Sequence, residues 1–183
     1  PAALCRLALG FVFVGSAHGE IVPSVLQMLM EREPSQLDNS WVQFISLVLA
    51  LLFLCRHVAS DATFETLKAI EHPVSRDAQI LVDACSYAGT GNVLKIQSLL
   101  HDCAEHVTPD SKKEGGSEQT ANESEGARNW YQAFSVLAIA LVAMGEDVGA
   151  EMTLRHMSHL MHYGDTVIRR TVPLALALLN PSN

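Results

Sequence analysis

The feature that most constrains this chain is an internal repeat. Five stretches align without gaps: "LALGFVFVG" from Leu7, "LVLALLFLC" from Leu47, "LVDACSYAG" from Leu81, "LAIALVAMG" from Leu137 and "LALALLNPS" from Leu174. The first column is Leu throughout, and the fourth holds Gly10, Ala50, Ala84, Ala140 and Ala177, so each unit sets its smallest side chain at the same point. A glycine inside a helix costs about 1 kcal/mol relative to alanine. Gly10 therefore predicts a neighbouring helix too close to leave room for a side chain, a contact that stacking like units repeats at every step. The starts lie 40, 34, 56 and 37 residues apart, which fits a two-helix unit.

Helices are also what the composition supports. Hydrophobic residues make up 49% of the chain and aromatics only 6%, so Leu, Ala, Val and Ile do the packing. The expectation is an all-α fold of tandem helical hairpins, an arc of an α-solenoid. The long third spacing is explained by "AEHVTPDSKKEGGSEQTANESEGA", too polar to bury a core and expected to be disordered. This divides the chain into hairpins over 1–103, an acidic insert over 104–127 and further hairpins over 128–183. Because the sequence starts almost inside a helix at Pro1, it is expected to be a piece of something longer.

Turns separate the two helices of a unit. In "GTGN", Gly89 and Gly91 permit positive φ and Asn92 can cap the helix that follows. Other second helices are expected to start near Gly19, Ser60 and Gly149, with Pro34 and Pro73 just beyond the ends of the first two. The apolar run Trp41–Cys55 has fifteen residues, short of the roughly 20 that cross a bilayer, and reads as a helix buried on nearly all sides. Cys5, Cys55 and Cys85 lie in apolar helical patterns, Cys103 lies further on, and none forms a Cys-x-x-Cys pair, which points to a reducing compartment.

The formal net charge is −8, and from Asp102 to Glu125 seven acids face only Lys112 and Lys113. Nucleic-acid binding needs clustered Lys and Arg that are missing here, so a basic protein surface is the better partner. The second helix of the first unit, "GEIVPSVLQMLMERE", shows where one would bind. With Glu20 at zero and about 100° per residue, Ser24 falls near 40°, Gln27 near −20° and Glu31 near 20°. They form one polar stripe opposite Ile21, Val22, Val25, Leu26, Met28 and Leu29. The next second helix, "SDATFETLKAIEH", sets Asp61, Glu65, Lys68 and His72 in a comparable stripe, and the third supplies Lys95, Ser98 and Asp102. Each stripe also suits the solvated face of an amphipathic helix. Met28 or Met30 at the edge of the first adds the apolar contact that a docking surface needs.

Other clusters look like chemistry. His156, His159 and His162 spread over about 120° of helix, so only two could share a metal, and polar packing between helices is the simpler reading. His101, Asp102, Cys103 and His106 make a possible ligand set at the mouth of the insert. "GTGNVLK" lacks the Gly-Lys-Ser/Thr ending of a phosphate loop, and no Gly-x-Ser-x-Gly elbow or acid–base pairing appears. No catalysis, metal or cofactor is expected. Arg169 and Arg170 read as inter-unit ion pairs.

The repeat columns, "AIEHP", "YAGTGNVLKIQSLLH", "AIALVAMGEDVGAEMTLRH" and "VIRRTVPLALALL" closely resemble the family of large scaffolding subunits of the 26S proteasome, the non-ATPase regulatory subunit 2 family, over all but the insert. The resemblance implies proteasome/cyclosome repeats forming part of a toroid in the base of the regulatory particle, beside neighbouring base subunits including ATPases, in cytoplasm and nucleus. It implies no enzyme activity. It further implies that ubiquitin and the ubiquitin-like domains of shuttle factors dock on the outer helices, with family acidic positions at Glu20 and Glu31 and with Gln27 where some members carry Asp. Ser24 shares that stripe, and Asp61 and Glu65 extend the surface onto the next helix. The other reading is a purely structural scaffold whose acidic stripe faces water.

Overall fold

The computed structural model describes residues 2–37, 40–57, 61–104 and 130–180. Its helices are α1 (Ala2–Val12), α2 (Ile21–Met30), the short α3 (Pro34–Leu37), α4 (Ser40–Leu52), α5 (Asp61–Lys68), α6 (Pro73–Ser86), α7 (Val93–Ala104), α8 (Trp130–Ala143), α9 (Asp147–Tyr163) and α10 (Thr166–Leu179), with no strand among the described residues. Apart from Ala104, the expected insert lies outside the described residues.

The helices form two rows. The first helices of the units, α1, α4, α6, α8 and α10, stack each on the next. The second helices α2, α5, α7 and α9 each pack on the first helix of the following unit, and so make an outer row. Inner helices are therefore buried on two sides. On α6, Ala78, Val82 and Cys85 join a core with α2, α4 and Leu67, whereas Ile80 and Ala84 join a second core with α7, α8 and α10. On α4, Val42, Ile45, Val48, Leu49, Ala50 and Leu52 are at most 1% exposed, which is why its sequence is apolar almost all round. No described helix is long and apolar enough to cross a membrane.

The small-residue column sits on the seams. A Cβ built on Gly10 would lie 3.1 Å from Val48 Cγ1 and 3.2 Å from Val48 Cα, so α1 and α4 approach too closely there for an unstrained side chain. Ala50, Ala84 and Ala140 are buried at the same point of their helices. Ala177 departs: it is exposed, as is Leu174 at 57%, because α10 has no following helix among the described residues to cover that face.

A second column has a backbone role. Gly15, Cys55, Gly89 and Gly145 occupy the ninth position of four units, and all have positive φ, at 65°, 58°, 69° and 84°. This left-handed residue lies in the turn after each inner helix and sends the chain toward the outer row. In three of the four its N–H donates across the seam to the fifth-column carbonyl of the next unit: Gly15 to Leu51 at 3.0 Å, Cys55 to Cys85 at 3.0 Å and Gly89 to Leu141 at 2.9 Å. Two residues on, Ala17 donates to Leu52 at 2.9 Å and Gly91 to Val142 at 2.8 Å. The first four units are thus joined along one edge of the stack by backbone hydrogen bonds as well as by apolar packing.

Several local expectations change. α4 ends at Leu52, so Cys55 stands in the turn rather than in the helix, and both Cys5 and Cys55 are exposed. α5 ends at Lys68, and His72 instead caps α6, its Nδ1 accepting from the Val74 N–H at 3.2 Å with Pro73 in the first turn. His72 therefore leaves the α5 stripe. Pro34 likewise opens α3, and α9 begins at Asp147, two residues before Gly149. Asn92 does cap α7, its Oδ1 accepting from the Leu94 and Lys95 N–H groups at 3.1 and 3.4 Å. Arg169 and Arg170 are exposed and form no ion pair among the described residues.

Candidate functional site

α2 buries Val22, Val25, Leu26 and Leu29 and turns its remaining face outward. Ser24 and Gln27 are exposed within the helix, and Glu20 and Glu31 flank it as the N-terminal and C-terminal caps. The four residues thus run along one outer face, with a carboxylate at each end. Gln27 Nε2 donates to Glu31 Oε1 at 2.6 Å, which orients that carboxylate, and the Glu31 N–H closes the helix on the Gln27 carbonyl at 2.9 Å. The Glu20 side chain makes no capping bond, and its N–H donates to His18 Nδ1 at 3.3 Å.

Between α2 and α5 lies a shallow groove of about 520 Å³. Pro23, Leu26 and Met30 form its α2 wall, Ala62, Thr63 and Thr66 its α5 wall, and Gln27 stands on its rim. Met30 is 51% exposed, whereas Met28 is only half-buried against the core and accepts at 3.8 Å from Arg32. Met30 is therefore the methionine available to a partner. The apolar floor of this groove was missed from the sequence, although Pro23, Leu26 and Met30 follow the three-to-four spacing of a second stripe beside the polar one.

Not every expected site residue faces this groove. Glu65 is exposed and paired with Lys68 at 2.8 Å, and it borders the next depression, between α5, α6 and α7. The side chain of Asp61, the first residue of α5, lies outside the described ones. In the second depression the charges satisfy one another: Lys95 Nζ donates to Asp83 at 2.8 Å and Arg76 to Asp102 at 2.9 Å. Arg76 also lies 4.0 Å from the Tyr131 ring centroid, and Lys95 lies 4.8 Å from that of Tyr87. Of the third expected stripe, Lys95 and Asp102 are therefore tied to α6, whereas Ser98 stays exposed and donates to the Lys95 carbonyl of its own helix at 2.9 Å.

His156 is half-buried, and His159 and His162 are exposed around Tyr163, with ring centroids 4.8 and 6.5 Å from it. Among the described residues no group of three or more His, Cys, Asp or Glu is placed to hold a metal. Burial pushes the Cys103 thiol up to about 12, with Asp102 adding to the effect, so this thiol stays protonated and packs as an apolar group. His106 lies outside the described residues.

No family model matches the chain. Curated proteins do. It is 52% identical over 180 residues to the 26S proteasome regulatory subunit rpn1 of Schizosaccharomyces pombe, covering 98% of this chain and 19% of that protein. It is 46% identical over 182 residues to the 26S proteasome regulatory subunit rpn-1 of Neurospora crassa, with 99% and 19% covered. With the 26S proteasome non-ATPase regulatory subunit 2 of Dictyostelium discoideum it shares 41% over 177 residues, 97% and 18% covered. The chain spans about a fifth of the length of these relatives. Over nearly its whole length, then, it is a homologue of the 26S proteasome regulatory subunit Rpn1, also named non-ATPase subunit 2.

Proposed function

We propose that this chain is a non-catalytic scaffold segment of the proteasome regulatory particle whose outer helices dock ubiquitin and the ubiquitin-like domains of shuttle factors. One observation carries the reading: an open apolar groove at Leu26, Met30 and Ala62, beside a polar face with Glu20 and Glu31 at its ends. A partner with an apolar patch ringed by Lys and Arg matches it. Ubiquitin has that surface. The apolar centre supplies the affinity and the rim charges set encounter rate and orientation, so binding is weak and falls with added salt. The inner row stacks the units, which leaves the outer row open to partners. The same stacking suits contact with neighbouring base subunits, including ATPases, in cytoplasm and nucleus.

Binding of immobilised ubiquitin, measured for the parent chain, Glu31→Lys and Met30→Asp, tests the reading. Loss in both variants with unchanged helical circular dichroism supports it. Undiminished binding by Met30→Asp removes the groove from the account. A purely structural scaffold is favoured by one fact: Glu31 and Glu65 already have partners, in Gln27 and Lys68. That reading predicts no ubiquitin binding by the parent chain.

A further inference from the structure

The seam between the second and third units differs from its neighbours in its chemistry. At the equivalent seams the left-handed donor is a glycine and the acceptor a leucine, Gly15 with Leu51 and Gly89 with Leu141. Here both positions are cysteine. Cys55 holds φ at 58°, a conformation that disfavours any side chain with a Cβ, and its N–H donates to the Cys85 carbonyl at 3.0 Å. This bond brings the two backbones together near the spacing that disulfides span, roughly 4.4 to 6.8 Å between α-carbons, and the two thiols are near enough to influence one another electrostatically. Cys85 belongs to the core shared with α4, so its side chain lies on the α4 side of α6, where Cys55 stands in the turn after α4.

We propose that Cys55 and Cys85 form a redox-sensitive seam, which a small-molecule disulfide such as oxidised glutathione converts into an inter-unit disulfide. The exposed Cys55 sulfur, as thiolate, attacks one glutathione sulfur, and the other glutathione leaves as a thiolate that takes up a proton. Cys85 then loses its proton and attacks Cys55 Sγ, forming the Cys55–Cys85 bond and expelling the second glutathione. Two protein thiols are oxidised and one glutathione disulfide is reduced to two thiols. Burial, with Cys55 nearby, pushes the Cys85 thiol up to about 11, so the second step is slow at neutral pH and quickens as pH rises. The link closes a loop containing α5, one wall of the groove beside α2. The inference does not depend on what the groove binds.

The test uses the Cys5→Ser chain, which removes the other exposed thiol and leaves Cys55, Cys85 and Cys103. It is incubated with glutathione disulfide, alkylated in denaturant and mapped by mass spectrometry. The expected result is one crosslinked peptide pair containing Cys55 and Cys85, with alkylation falling from three thiols to one, faster at higher pH, and with a raised thermal midpoint. Further substitution of Cys55→Gly, which suits the left-handed turn, abolishes both the crosslink and the rise. A stable glutathione adduct on Cys55 with Cys85 still alkylated overturns the proposal. So does a midpoint rise that persists in Cys55→Gly.

Discussion

Gly10→Ala tests the stacking argument because two opposed effects of known size meet at one methyl group. An unconstrained helical glycine replaced by alanine gains about 1 kcal/mol. Here the new Cβ would sit 3.1 to 3.3 Å from Val48 Cγ1, Cα and Cβ, so the backbone of α4 must retreat by a few tenths of an ångström or α1 must lift from it. Overpacking of a formed seam costs about 1 to 3 kcal/mol. The net expectation is a loss of about 1 kcal/mol, read by urea unfolding followed through helical circular dichroism with the m-value unchanged. Gly10→Val enlarges the loss. Val48→Ala takes away the Cγ1 methyl but leaves the α4 backbone where it is, so in the double variant it recovers part of the Gly10→Ala loss, a coupling of about 0.5 to 1 kcal/mol. A gain of about 1 kcal/mol for Gly10→Ala alone would refute the close approach and the role of the fourth column.

Other outcomes follow from single sites. Cys55→Gly relieves a left-handed side chain and, in the reduced protein, stabilises by about 1 kcal/mol in urea unfolding; a loss would show that the thiol's packing outweighs the strain. Thr153 Oγ1 is fully buried without a hydrogen-bond partner among the described residues, so the near-isosteric Thr153→Val gains about 1 kcal/mol, and destabilisation would reveal a missed partner. Burial raises the Asp77 carboxyl from 3.8 to about 6, opposed by the Arg76 charge. The native state therefore holds this proton where the unfolded chain releases it, and stability falls as pH rises from about 4 through 6. Asp77→Asn should remove that slope and gain on the order of 2 to 3 kcal/mol at pH 7.5; an unchanged profile would remove Asp77 from the account.

Much of the stacking was legible because it is written in single residue types at fixed spacing. The fourth column marks where helices touch, and Gly89 and Gly91 mark where the chain turns left-handed, whereas the same role of Gly15, Cys55 and Gly145 in the ninth column was not read. The polar face of α2 was legible too, since one helix's periodicity determines it. What could not be read is what two helices make together. The floor of the groove needs Met30 and Thr66 side by side, and the inward turn of Lys95 needs Asp83 beneath it. A cap also resembles a helix residue in sequence, which is how His72 came to be placed on α5 when it begins α6. Ala177 keeps the column but lacks the described neighbour that would bury it.

The most direct test of the docking surface is a titration of isotopically labelled protein with ubiquitin, followed by amide chemical shifts. The account predicts fast-exchange changes centred on Leu26, Gln27, Met30, Ala62 and Thr66, extending to Glu20 and Glu31 and shrinking as salt is added. Silence at these amides with ubiquitin at millimolar concentration would contradict it, as would shifts confined to the ends of the stack at α1 and α10.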